Sequence, residues 1–581
     1  MSTVTGSSIQ VDAITTEIIR SAVVAITDEM KTNLMRTAYN MIIYEALDFT
    51  VGLFDAEGNT ISIGLGLPMF IRGLSDAIKA KIAFYGSDGI EPGDILLTND
   101  AYIMGSHLNH MIFTIPIFWE GKIVAYASSM AHWQDVGGVL RGSTQDIYSE
   151  GLQLPIVKIF KRGQQDRELT DVIRMNVRFP DLAMGDFRAQ VAAIKTGERR
   201  YLGLLERYGL DAVNASIDRI YEQSERLARA AVATIPDGVY EAESFMDDDG
   251  VTSGKQIPLK VRVIVEGEEM TIDLSEVSRQ VGGYFNSGIT AGRSAAEVAF
   301  KCVTSPLWMP INYGSFRPLK VELPLGRVIS ATRPAAMRMW MTIPMTVVDT
   351  IFKALAGAVP DRTIAGHHAD LLSSHTYGVD HRTGRFFFGF VGPLGGGWGA
   401  KHNEDGASGT ICINDGDTHN SPVEASEVKS PLVIDEFSLV EDSGGAGRHR
   451  GGLGLRRAVR MLTPSNFTTR IERTQCAPWG LDGGNDAVAN RVYIRRADGT
   501  IDQPANGKVD LMQLGIGDSY VLESGGGGGF GNPLDRPIEH VLADIRQQYI
   551  SPEAARRDYG VVVDEDFNLD EAATDLARAE L

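Results

Sequence analysis

Cysteine is scarce. Only Cys302, Cys412 and Cys476 occur in 581 residues, and they form neither a CxxC pair nor a disulfide framework. That usage points to a reducing compartment. Basic charge is also in deficit: Lys and Arg number 55 against 75 Asp and Glu, a net charge of −20. A nucleic-acid binder needs cations to displace phosphate counterions, and a peripheral membrane protein needs them to meet anionic lipid. Neither partner is expected. No apolar run reaches the roughly 18 residues of a membrane span. The opening MSTVTGSSIQVDAITTE lacks the basic stretch and apolar run of a secretory signal. A soluble, cytoplasmic protein is the expectation.

Glycine, in contrast, is abundant: 63 residues, about one in nine, against a usual ~7%. Many backbone positions should need positive φ or a close approach to another chain segment. With 43% hydrophobic and 22% charged residues the composition is globular, and at about 150 residues per domain several domains are expected.

Hydrophobic periodicity predicts an amphipathic helix over 11–38, through Val11, Ile14, Ile18, Ala22, Ile26, Met30 and Leu34. A strand follows at 49–54, a helix at 68–85 and a buried strand at 94–98. Residues 110–133 read as a hairpin turning at Trp119-Glu120-Gly121. Pro116 within it should sit at an edge or where no ladder donor is needed. Helices are expected at 186–207 and 210–234, strands at 239–245, 257–265 and 269–275, and a helix at 340–357. Strands and glycine clusters (392–399, 442–454, 524–531) dominate 383–530, and the tail is helical. The pattern is multidomain α+β rather than alternating βαβ. The expected division is an N-terminal α+β part at 1–236, a central α+β part at 237–382, a glycine-rich β part at 383–534 and a helical tail at 535–581.

Chemistry concentrates in the hairpin. His107 and His110 precede its first strand, and His132 ends its second. A two- or four-residue loop sets His132 opposite Asn109, and a three-residue loop sets it opposite His110. Either register brings the imidazoles together, and local sequence does not choose between them. Three imidazoles at one hairpin mouth suit a divalent cation, with Asp48 or Asp135 supplying a fourth ligand or Asp135 orienting a histidine. They are equally readable as separate polar residues, since His-x-x-His off a helix is a weak signature. The glycine clusters match neither GxxxxGK[ST] nor GxGxxG between strand and helix. They read as tight turns and bulges, although Arg448 and Arg450 invite an anion. His367-His368 read as the two faces of a strand. Cys476 has no histidine beside it in sequence to activate it.

At these motifs the chain resembles the hydantoinase B/oxoprolinase family. The resemblance rests on Arg36-Thr37-Ala38-Tyr39, Glu45 with Leu47-Asp48-Phe49, Thr98-Asn99-Asp100-Ala101-Tyr102, Gly105-Ser106-His107-Leu108 and Ala131-His132-Trp133-Gln134-Asp135-Val136-Gly137-Gly138. Further matches are Glu150 to Pro155, Gly395 to Ala400, Asp442 to Gly447 with Arg450-Gly451-Gly452, and Pro478-Trp479-Gly480. It implies a B-type subunit of an ATP-dependent amidohydrolase that opens a hydantoin, 5-oxoproline or lactam. The alternative is a subunit of an acetone- or acetophenone-type ketone carboxylase. It implies an A-type partner with an actin-like ATPase fold that uses ATP and phosphorylates the substrate, in a hetero-oligomer such as (αβ)2. The family's metal ligands fall on Asp48, His107 and His132, and His110 replaces its usual Asp. Three neutral imidazoles and one carboxylate leave a divalent ion at net +1, which favours Zn, Mn or Fe over Mg or Ca. Phe70 stands near where the family often has histidine. Asp135 or Asp100 is the expected general base or orienting carboxylate.

Overall fold

The computed structural model describes residues 11–305, 310–416 and 418–581. The first α-helix, α1 (Ala13–Thr37), is started by Asp12, whose carboxylate accepts the amides of Ile14 and Thr15. Its buried face runs Ile19, Val23, Ile26, Met30 and Leu34. The expected stripe is right in its second half and out of phase in its first, because Ile14 and Ile18 are 74% and 45% exposed. The face is fixed by packing on α6 (Pro180–Tyr208) and α7 (Leu210–Val232) rather than by residue type alone. Each such aliphatic side chain contributes about 1.5–3 kcal/mol on full burial.

Against α1 and α6 lies a seven-stranded sheet ordered β2-β1-β5-β4-β3-β6-β7. Its strands are β1 (Phe49–Asp55), β2 (Thr60–Leu65), β3 (Ile95–Thr98), β4 (His110–Trp119), β5 (Lys122–His132), β6 (Val157–Lys161) and β7 (Gln164–Gln165). The short helices α2 (Met41–Tyr44) and α4 (Ala101–Met104), with α3 (Gly73–Tyr85) and α5 (Arg167–Asn176), complete this part. Its core is continuous from Ile19 to Tyr221 and also takes in Met337, Trp340, Met345 and Cys412 from much later in the chain.

The hairpin resolves the register in a way that neither simple loop length predicts. The turn itself has two residues, Glu120 and Gly121, both at positive φ, with Trp119 opposite Lys122. The pairing then shifts between Ile117 and Phe118, so that Ile117 faces Ala125 and His110 faces His132. One bulge converts the two-residue register into the three-residue one. Pro116 lies in a central strand, yet β3 pairs only with Ile112 to Thr114, so its missing donor is not needed.

A second core, of Ile71 and residues from Ala228 to Ile364, is built on a four-stranded sheet with helices Ile289–Thr304 and Thr342–Leu355 against it. A third spans Leu372 to Leu522. The helical tail closes over Ala446 through Val541, Ile545 and Tyr559. Only parts of the glycine clusters are turns, with Gly392, Asp442 and Gly531 at positive φ. Gly525 to Gly529 run through the centre of a bundle of other backbones, bonded in several directions: Gly397 N to Gly525 O, Gly445 N to Gly527 O and Gly528 N to Gly366 O, at 2.8–2.9 Å. Close approach, not positive φ, is what these glycines supply. Arg450 is spent on Asp544 (3.2 Å) and on Gly451 O (2.7 Å). Among the described residues no helix is long and apolar enough to cross a membrane.

Candidate metal centre and its cavity

Three adjacent strands end level and set the row. Ala131 pairs with Phe49 and with Met111. One step further, His132 donates its amide to Asp48 O (3.0 Å) and faces His110. Asp48 is thereby placed beside the histidines by β1, as expected. Leu47, just before it, takes φ +60°, and Gly66 makes room: a Cβ there would lie 2.0 Å from Leu47 O. His107 comes from the loop after α4, which Gly105 ends at φ +79°. The imidazole centroids are 4.5 Å (His107–His110), 4.7 Å (His107–His132) and 5.4 Å (His110–His132) apart.

The hydrogen bonds orient the rings. His107 Nδ1 lies 3.3 Å from Arg338 O. A carbonyl only accepts, so Nδ1 carries the proton and Nε2 presents its lone pair. His110 Nδ1 lies 2.9 Å from Ser106 Oγ, and its Nε2 lies 3.1 Å from Asp48 Oδ1. Two donors on one tetrahedral cation at about 2.0–2.1 Å are about 3.3 Å apart. His107 Nε2 and His132 Nδ1 are buried without a hydrogen-bond partner among the described residues, an expensive condition for a polar atom. Burial holds the His107 imidazolium well below its ordinary range and lowers that of His132 to about 4, so both rings are neutral at pH 7. Burial raises the Asp48 carboxyl, but the His110 charge and hydrogen bond outweigh it and hold it ionised. The donor types and the orphaned nitrogens therefore suit a cation. As they stand the donors do not converge: among the described residues no three His, Cys, Asp or Glu side chains form a set that could hold a metal ion.

Phe70 packs its ring edge against His110 (5.0 Å between centroids) and stacks on Trp340 at 6.0 Å. Asp48, His107 and His132 open onto a cavity of about 190 Å³, whose lining also includes Arg338, His375 and Arg470. His110 lies behind that wall, 1% exposed. Asp135 lines the cavity but is held by Arg178, with Nη1 at 2.6 Å and the amide at 2.5 Å, and by the Gly137 amide. Asp100 caps α4 through the Tyr102 amide (3.0 Å) and pairs with Arg333 (2.9 Å), away from the cavity walls. Neither carboxylate is hydrogen-bonded to an imidazole of the trio. His367 and His368 are fully buried in an irregular segment rather than on a strand. Burial and Asp247 push the Cys476 thiol up to about 12, so it is no thiolate nucleophile.

Sequence reading missed the residues that brace the row. Asp186 Oδ1 accepts the amides of Tyr39 (2.7 Å) and Asn40 (3.2 Å), and Asn40 Nδ2 donates to His132 O (2.9 Å). The Trp133 indole donates to Gln190 (2.9 Å), which donates to Met111 O (2.9 Å). Burial raises the Asp186 carboxyl to about 6. Its unfolded value is near 3.8, so the folded state binds more protons between the two and stability falls as pH rises from about 4 to 6. The change is on the order of 3 kcal/mol. In Asp186→Asn, urea-unfolding titrations should show this part of the pH slope removed. An unchanged slope would mean that the carboxyl titrates normally.

Comparison with known proteins agrees with this architecture. Residues 12–533 match the hydantoinase B/oxoprolinase family. The chain is 32% identical to the caprolactamase beta subunit of Pseudomonas jessenii over 584 residues, covering 98% of this chain and 99% of that one. It is 29% identical to the B subunit of a putative D-/L-hydantoinase from a Pseudomonas strain, covering 98% of each. The crystal structure of the ATP-dependent caprolactamase from Pseudomonas jessenii superposes with a TM-score of 0.91, at 30% identity over 98% of this chain and 100% of that one. A nucleotide-free acetone carboxylase shares the fold, with a TM-score of 0.89 at 20% identity over 98% of this chain and 83% of that one. The chain belongs to the hydantoinase B/oxoprolinase family.

Proposed function

We propose that this protein is the hydrolytic subunit of an ATP-dependent enzyme that opens a cyclic amide, working with a separate subunit that phosphorylates the amide oxygen. The observation that carries the reading is the row Asp48, His132, His110 with His107 across it, beside a cavity and with His107 Nε2 and His132 Nδ1 buried without a hydrogen-bond partner among the described residues. Support for ATP dependence and for a second subunit comes from the relatives' names: an ATP-dependent caprolactamase, its beta subunit and a hydantoinase B subunit.

An amide carbonyl is a poor electrophile because resonance stabilises it, and phosphorylation converts its oxygen into a leaving group. Asp48, His107, His110 and His132 would hold a divalent ion, zinc, manganese or iron by donor chemistry. When bound, that ion supplies Lewis acidity and a water acidified toward neutral pH. The protein's own share is to keep His107 and His132 neutral, to fix the His107 tautomer through Arg338 O, and to line the cavity with Trp340 and Met341. Asp135 acts through Arg178 and the Gly137 turn, holding the cavity wall after His132 rather than taking a proton.

The test is co-purification with the ATP-using subunit and a turnover screen over hydantoins, 5-oxoproline and lactams. ATP-dependent ring opening of at least one, with no turnover by this chain alone, is the expected result. Incorporation of ¹⁴C-bicarbonate into a ketone, with no cyclic amide opened, would replace hydrolysis by carboxylation.

A further inference from the structure

The cavity lining includes two guanidiniums, those of Arg338 and Arg470, that form no salt bridge among the described residues, although the charge of Glu150 acts on both. Arg470, 5% exposed, donates to Gly142 O (2.9 Å), Arg141 O (3.2 Å) and His375 Nδ1 (3.1 Å). Arg338 donates to Arg141 O (2.7 Å) and Val139 O (2.8 Å). The four acceptors are neutral: three are carbonyls, of which Arg141 O takes a bond from each guanidinium, and the fourth is an imidazole that burial and the two guanidiniums keep unprotonated. A guanidinium has five N–H donors, so both side chains retain donors beyond these contacts.

The carboxylates nearby are committed elsewhere. Asp135 belongs to Arg178 and offsets the charge of that third guanidinium on the wall. Glu150 is bound by Thr144 Oγ1 and by the amides of Met337 and Arg338, not by either guanidinium. Asp510 is held by Arg141 and Ser143. Setting a buried guanidinium, Arg470, beside a half-buried one, Arg338, with no salt bridge to either among the described residues is expensive, and such charges in a cavity mark a binding site. Arg338 is also the residue whose carbonyl orients His107. One backbone segment thus connects the cationic side chains to the imidazoles. His375, stacked on Phe390 (5.2 Å) and packed on Phe388 (5.0 Å), keeps Arg470 from swinging away.

We propose that Arg338 and Arg470 form an oxyanion subsite that receives a carboxylate or phosphoryl group of the substrate while its amide carbonyl is presented to the imidazole row. The binding of the anion stands on the cavity alone, and its role in positioning an amide rests on the ring-opening reading. The subsite assigns the substrate class: an anionic cyclic amide, or an amide made anionic by phosphorylation, rather than one that enters the hydrolytic step uncharged.

Isothermal titration of the full chain with three probes tests it: L-5-oxoproline, 2-pyrrolidinone (the same ring without the carboxylate) and inorganic phosphate. The expected result is that one oxyanion binds at least about tenfold more tightly than 2-pyrrolidinone and loses about tenfold in Arg470→Gln or Arg338→Gln, the weight of one charge-assisted hydrogen bond. Tight 5-oxoproline with weak phosphate assigns the subsite to a substrate carboxylate, and the reverse assigns it to the phosphoryl group. If neither oxyanion outbinds 2-pyrrolidinone, or if both variants bind like the wild type, the proposal is overturned. The wild-type comparison decides even where a variant fails to fold. Oxyanion binding without turnover of any cyclic amide would remove only the ring-opening reading, and turnover without oxyanion binding would remove only the subsite.

Discussion

Gly451→Ala is expected to abolish folding. A Cβ at Gly451 would stand 1.7 Å from Gly527 O and 2.4 Å from Gly527 C. Both atoms are backbone, so no rotamer change relieves the overlap. Gly527 cannot retreat, since a Cβ there would itself lie 1.8 Å from Trp398 O. The amide of Gly445, moreover, bonds Gly527 O at 2.9 Å. Separating the segments breaks several buried hydrogen bonds at about 1–3 kcal/mol each, which exceeds the few kcal/mol to spare in a domain. The control is Gly203→Ala, on an exposed helical turn with nothing within 4 Å of the added atom. It should gain about 0.5–1 kcal/mol. Soluble yield and urea unfolding read both. A stable, cooperative Gly451→Ala protein would mean that the polyglycine bundle is looser than described.

His132→Ala should leave the fold and remove the chemistry. Its Nδ1 is buried without a hydrogen-bond partner among the described residues, so little native structure depends on that atom. Loss of one ligand and of the charge stabilisation it supports, several kcal/mol, corresponds to a fall in turnover of about a thousandfold or more. Circular dichroism of the variant should match the wild type while elemental analysis shows the metal gone. Full turnover with the metal gone would instead make this chain a scaffold for its partner.

The sequence carries most of the hairpin and little of the cavity. Turn residues Glu120-Gly121 announce a two-residue loop, yet the bulge between Ile117 and Phe118 has no local code and decides which residue His132 faces. Motif order brings out His107, His110, His132 and Asp48 because they lie on or beside three hydrogen-bonded strands. Arg338 and Arg470 reach the same cavity from over 200 residues away, held by carbonyls that no side-chain pattern reveals. The polar character of Asp135 and Asp100 suggests catalysis, but their geometry commits them to Arg178 and Arg333. The glycine clusters are plain in composition, whereas their arrangement is a matter of three distant segments meeting.

The proposed chemistry requires a cation among Asp48, His107, His110 and His132. Anomalous diffraction from crystals of the protein co-purified with its partner, recorded on both sides of the absorption edge of the metal found by elemental analysis, tests it directly. The expected result is a single strong peak at about 2.0–2.2 Å from nitrogens of the three imidazoles and an oxygen of Asp48. A map without a peak there, with His107 Nε2 and His132 Nδ1 bonded to ordered water instead, would contradict it.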